Sequence, residues 1–88
     1  MAIETVVYLT RWCPYCTRAK QLLAQKGVRW TEIDIEAKPQ ARAQMIQRAG
    51  RTSVPQIFIG ERHIGGCDDL YALDQAGTLN ALLGLNTP

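Results

Sequence analysis

A nearly continuous β-favouring run, Ile3 to Leu9, leads within a few residues into helix formers at positions 14 to 26, and a second β-like stretch, Val28 to Ile35, follows. In that stretch Trp30, Glu32 and Asp34 alternate with Thr31, Ile33 and Ile35, the two-residue period of a strand. A strand, a helix and a strand in this succession join one sheet through a right-handed crossover, which makes the two strands parallel. The unbroken apolar character of the first run is that of a strand covered on both faces. The intervening helix carries core-spaced Cys16, Ala19, Leu22 and Leu23, and Gly27 stops it.

The remaining elements complete the pattern. Pro39 suits the first position of a second helix, with Met45, Ile46 and Ala49 inward and Gly50 closing it. Gln56 to Ile59, a turn around Gly60-Glu61 and a short strand near His63-Ile64 read as a β-hairpin. Gly65-Gly66 then lead into a third helix that starts at Cys67-Asp68-Asp69, and Thr78 to Leu83 add a last short one. The order βαβαββα predicts an α/β protein of thioredoxin-like fold: a four-stranded mixed sheet with helices on both faces. Without a repeat, low-complexity segment or linker, residues 1–88 are expected to be a single domain.

Composition narrows the function. With 47% apolar residues in 88, an ordinary core is expected without metals or disulfide staples. The net charge of +2, from seven Arg and three Lys scattered among eight acids, is too mild for a nucleic-acid footprint and suits a small anionic partner. Met1 to Tyr8 lacks a basic n-region and carries an early acid, Glu4, so no signal peptide is expected. No apolar run approaches the roughly 20 residues of a membrane helix. The expected compartment is the reducing cytoplasm, where a Cys-x-x-Cys pair reads as redox or metal chemistry.

Cys13-Pro14-Tyr15-Cys16 lies between the first strand and the first helix. Pro14 at the first helical position makes Cys13 the N-cap, whose sulfur faces the amides of Tyr15 and Cys16. A thiolate accepts such bonds better than a thiol, the helix dipole acts in the same sense, and Arg11 is two residues away. Cys13, at an exposed helix end, is predicted to be the nucleophile. Cys16 is one turn on, within disulfide reach, and shares the inward stripe with Ala19 and Leu23. Burial raises a thiol pKa, so Cys16 is expected to wait protonated and resolve the intermediate. Zinc needs four ligands, and His63 and Cys67 are the only further candidates, in a spacing uncommon for a second half-site; no metal is expected.

Cys13-Pro14-Tyr15-Cys16, Ser53-Val54-Pro55 and Gly65-Gly66-Cys67-Asp68-Asp69, at this spacing, resemble the dithiol glutaredoxins of the short bacterial type along the whole chain. The resemblance implies a glutathione site built from these segments. The bond before Pro55 would be cis, exposing the Val54 N–H and C=O beside Cys13 for strand-like pairing with glutathione's cysteinyl unit; read without the resemblance, Pro55 is an ordinary strand-edge proline. The amides of Cys67 and Asp68 would hold the γ-glutamyl carboxylate and the Asp68 carboxylate the ammonium, while Asp68 and Asp69 also simply favour a helix start. Tyr15 would line the groove, with Ser53 and Gly66 in its walls. Cys67 would contribute its backbone, its thiol being non-catalytic or else a regulatory oxidation site. Arg48 and Arg51 either reach toward the glycyl carboxylate or are solvated, and His63 is expected at the surface.

In one respect the sequence departs from the family, which often carries lysine three residues before the first cysteine. Here that residue is Thr10, and the charge sits at Arg11, followed by Trp12. Arg11 is expected either to replace the lysine at the glycyl carboxylate, to support the Cys13 thiolate, or to sit in water. The resemblance implies a monomeric glutathione-dependent thiol–disulfide oxidoreductase with a redox-active Cys13–Cys16 pair. It would act on disulfide-containing and glutathionylated proteins, with glutathione as co-substrate and no permanently bound cofactor. The Trp12-Cys13 junction is similar to thioredoxins, which leaves a flavoprotein-served electron donor as an alternative. An iron–sulfur carrier bridged through Cys13 and glutathione is another, against which the rigid Pro14 counts.

Overall fold

The computed structural model describes residues 3–85. Strand β1 (Thr5–Leu9) is followed by α1 (Pro14–Gln25), β2 (Thr31–Asp34), α2 (Pro39–Ala49), β3 (Gln56–Ile59), β4 (Arg62–Gly65), α3 (Cys67–Gln75) and the short α4 (Leu79–Leu82). The sheet order is β2-β1-β3-β4, with β1 and β2 parallel and the other neighbours antiparallel. This is the mixed four-stranded sheet of a thioredoxin-like fold.

The two-residue period of β1 divides the interior. Val7 and Leu9, with Ile57 and Ile59 of β3, face Cys16, Ala19, Leu22 and Leu23 of α1 and Cys67 and Leu70 of α3. Val6 and Tyr8, with Phe58, face Ala41 and Met45 of α2. Helices therefore cover both faces, and every residue of β1 is buried. Fully buried side chains such as Leu23, Ile57 and Leu70 each contribute about 1.5–3 kcal/mol by leaving water.

Strand β2 is shorter than the alternation from Val28 to Ile35 suggests. Val28 N–H donates to Leu23 O at 3.4 Å, which ties the chain to the end of α1 before it can join the sheet. At the other end Asp34 Oδ1 accepts from Glu36 N–H at 2.8 Å and Ala37 N–H at 3.3 Å, turning the backbone out of the strand. β1 likewise begins at Thr5, leaving Ile3 40% exposed. In α2, Ala41 is buried with Met45, whereas Ile46 and Ala49 are only half-covered. Gly50 ends α2 with φ 70°, a left-handed conformation natural to glycine.

Candidate active site

Cys13 is the N-cap of α1, in extended conformation (φ −82°, ψ 118°), with Pro14 opening the helix behind it. Of the two amides offered to its sulfur, Cys16 N–H donates, at 3.3 Å. The Cys13 thiol points toward Val54 O, 3.9 Å away. Cys13 was expected at an exposed helix end, yet it is only 7% exposed. The reason is tertiary: the segment before β3 brings Val54 over the sulfur, and the side chain belongs to the core shared by α1 and α3.

Cys16 is buried to 1% exposure on the inner stripe of α1. Burial first, and the hydrogen-bonding Cys13 thiol second, push its pKa from 9.0 up to about 12. All three cysteines are free. Cys67, the first residue of α3, is also buried, and burial pushes its thiol pKa up, which makes it a poor nucleophile.

A groove of about 350 Å³ runs beside the dithiol, lined by Tyr15, Ser53, Val54, Pro55, Gly66, Cys67 and Asp68 together with Arg51 and Asp69. The Val54–Pro55 bond is cis. Tyr15 projects at 55% exposure. Asp69 Oδ2 accepts from Gly66 N–H at 2.9 Å, closing the start of α3. That bond, and then the Arg51 guanidinium at 3.1 Å, hold the Asp69 carboxyl below its ordinary value. Gly65, at φ 117°, is confined to glycine twice over, since a Cβ there would run into the Asp69 carboxylate. The first intrahelical bond of α3 is Leu70 N–H to Gly66 O, so the amides of Cys67 and Asp68 have no partner within the helix, and both residues line the groove.

The structure separates the charged residues by place. Arg11 is exposed and outside the groove lining, whereas Arg51 lines it. Arg48 is exposed and outside the groove lining, with its guanidinium 4.1 Å from the centre of the Phe58 ring and donating to Tyr8 Oη at 2.9 Å. His63, expected at the surface, is half-buried, with its ring 4.9 Å from that of Phe58. Trp12 stays 72% exposed and donates to Glu36 Oε1 at 2.9 Å. Sequence reasoning missed Gln56, which is wholly buried; a polar residue opening the otherwise apolar strand Gln-Ile-Phe-Ile was the available signal.

The Glutaredoxin family profile matches residues 5–64. The chain belongs to the glutaredoxin family. It is 62% identical over 78 residues to a glutaredoxin of Pseudomonas aeruginosa, covering 89% of this chain and 93% of that one. It is 57% identical over 77 residues to glutaredoxin 3 of Escherichia coli, covering 88% and 93%. Among solved structures, a buckwheat glutaredoxin–glutathione complex superposes with TM-score 0.86 at 34% identity, over 93% of this chain and 77% of that chain. The solution structure of glutaredoxin from Brucella melitensis does so with TM-score 0.82 at 54% identity, over 93% and 89%. This glutaredoxin is accordingly an enzyme, a thiol–disulfide oxidoreductase. Among its described residues no helix is long and apolar enough to cross a membrane.

Proposed function

We propose that this glutaredoxin reduces protein–glutathione mixed disulfides and protein disulfides at the expense of glutathione, through Cys13 and Cys16. One observation carries the reading: the Cys13 sulfur, capped by Cys16 N–H, lies against Val54 O at the edge of a groove walled by the Ser53–Pro55 segment and the start of α3. An extended cysteinyl unit matches the Val54 backbone, a carboxylate matches the amides of Cys67 and Asp68, and an ammonium matches the Asp68 side chain. Tyr15, Ser53, Pro55 and Gly66 shape the groove, and glutathione carries the chemistry that these groups recognise.

The Cys13 thiolate attacks the glutathione sulfur of a mixed disulfide, forming a Cys13–glutathione disulfide while the protein thiolate leaves. A second glutathione thiolate then displaces Cys13 and departs as oxidised glutathione, which carries away the two electrons' worth of oxidation. Alternatively Cys16, losing its proton, attacks Cys13, expels glutathione as thiolate and closes the Cys13–Cys16 disulfide, which two further glutathiones reduce. The same dithiol reduces an intramolecular protein disulfide. Glutathione is thus a co-substrate, no permanently bound cofactor enters the scheme, and a monomer in the cytoplasm suffices.

A coupled assay with glutathione, glutathione reductase and a small glutathionylated substrate tests the proposal. Turnover that scales with glutathione is expected. Turnover only when a flavoprotein reductase for thioredoxin replaces the glutathione couple would refute it.

A further inference from the structure

Gln56 has no exposed surface, and an amide in such a place is costly unless its donors and its acceptor are met. Its Nε2 donates to the Ser53 carbonyl oxygen at 3.0 Å and lies 3.3 Å from Ser53 Oγ. Its Oε1 lies 2.7 Å from His63 Nε2. The Ser53 carbonyl only accepts, so the amide nitrogen must face it and the amide oxygen must face His63. An amide oxygen likewise only accepts, so His63 Nε2 carries the hydrogen. The ring is held for this purpose. His63 pairs with Phe58 across β3 and β4 and lies on its ring, while Arg48 holds the same Phe58 ring and is itself bonded to Tyr8.

We propose that His63 and Gln56 are positioning residues of the glutathione groove. His63 Nε2–H orients the Gln56 amide, and the amide anchors Ser53, which leads into the Val54–Pro55 wall beside Cys13. The inference rests on the glutathione reading, because this wall matters through the cysteinyl unit that pairs with it. Neither side chain lines the groove, so both act through Ser53. Without the His63 donor, Gln56 Oε1 loses its partner, the amide is free to turn, and the hold on Ser53 goes with it. The device is not a pH switch, since Nε2–H is present in the neutral and the protonated ring alike. Burial and the Arg51 guanidinium, opposed by Asp69, lower the His63 pKa, so the neutral ring prevails at neutral pH.

The test compares wild type with His63→Phe, which keeps the stacking and removes the donor, and with His63→Gln, whose amide nitrogen takes the place of Nε2. In the coupled assay, KM for the glutathionylated substrate should rise roughly three- to tenfold in His63→Phe. Its kcat and the rate of Cys13 alkylation by iodoacetamide should stay unchanged, and His63→Gln should recover most of the loss. The double variant His63→Phe, Gln56→Leu should do no worse than the sum of its singles less their shared bond. Nitrogen-15 spectra of the wild-type imidazole, which need no variant to fold, should show the proton on Nε2. A proton on Nδ1 at neutral pH, or a lowered Tm in His63→Phe with KM unmoved, would overturn the inference alone. Absence of glutathione-dependent turnover in the wild type would overturn the underlying reading and this inference with it.

Discussion

The resolving step depends on a thiol that the fold makes hard to ionise, and its cost follows from the Cys16 surroundings. With the pKa raised from 9.0 to about 12, the thiolate fraction at pH 7 falls from roughly one in a hundred to roughly one in a hundred thousand. A more basic thiolate is a better nucleophile, and a Brønsted slope of about 0.4–0.5 over three units restores roughly 16- to 32-fold. With Cys13 a free thiol beside it, attack by Cys16 on a disulfide should therefore be about 30 to 60 times slower than by an ordinary thiol, before any steric hindrance at 1% exposure; in the mixed disulfide the Cys13 part of the rise is gone and the handicap from burial remains. Free glutathione bears no such handicap. Cys16→Ser should keep most turnover of glutathionylated substrates while losing reduction of intramolecular protein disulfides, and Cys13→Ser should lose both. Iodoacetamide alkylation from pH 6 to 11 with mass mapping checks the cause. The Cys16 rate should climb about tenfold per pH unit with no plateau below pH 11. A plateau near pH 9, or loss of deglutathionylation in Cys16→Ser as complete as in Cys13→Ser, would refute the reasoning.

Asp69→Ala removes the carboxylate bond to Gly66 N–H and the half-exposed pair with Arg51, which should cost about 1–2 kcal/mol, or roughly 4–16 °C in Tm. Because the folded pKa of Asp69 is lowered, this stabilisation is complete above the unfolded carboxylate pKa and is lost as pH falls through the folded value. Thermal melts of both proteins at pH 7 and pH 2 should show the difference shrinking, and a constant difference would contradict the assignment. Arg51→Ala should weaken glutathione handling roughly two- to fivefold, fading with added salt, whereas Arg11→Ala should matter less because it lies outside the groove lining. Kinetics with glutathione and with an analogue lacking the glycyl carboxylate check this, and a larger effect from Arg11→Ala on glutathione alone would reverse the ranking.

Features set by near neighbours were legible in the sequence by itself. The apolar run of β1, the stripe Cys16-Ala19-Leu22-Leu23, Pro14 and Pro39 at helix starts, and Gly50 at a helix end each act within a turn or a pleat. Their order left little choice but a parallel β1–β2 pair and a closing hairpin. Cys13 as an N-cap followed from Pro14 alone. Other features needed the fold, because their partners lie far along the chain. Val54, 41 residues from Cys13, covers a sulfur that local reasoning left exposed. Asp69, 18 residues from Arg51, shares the groove with it, so the lining cation is Arg51 and not the charge nearest the cysteines. The length of β2 was decided by Val28 turning back to α1 and by the Asp34 side chain competing for the backbone, neither of which alternation can register. Gln56 and His63 read as a strand residue and a surface residue until the register of β3 and β4 sets one against the other. Periodicity records which face a residue occupies; which polar atoms meet on that face depends on strand register and helix docking, and those exist only in the assembled tertiary structure.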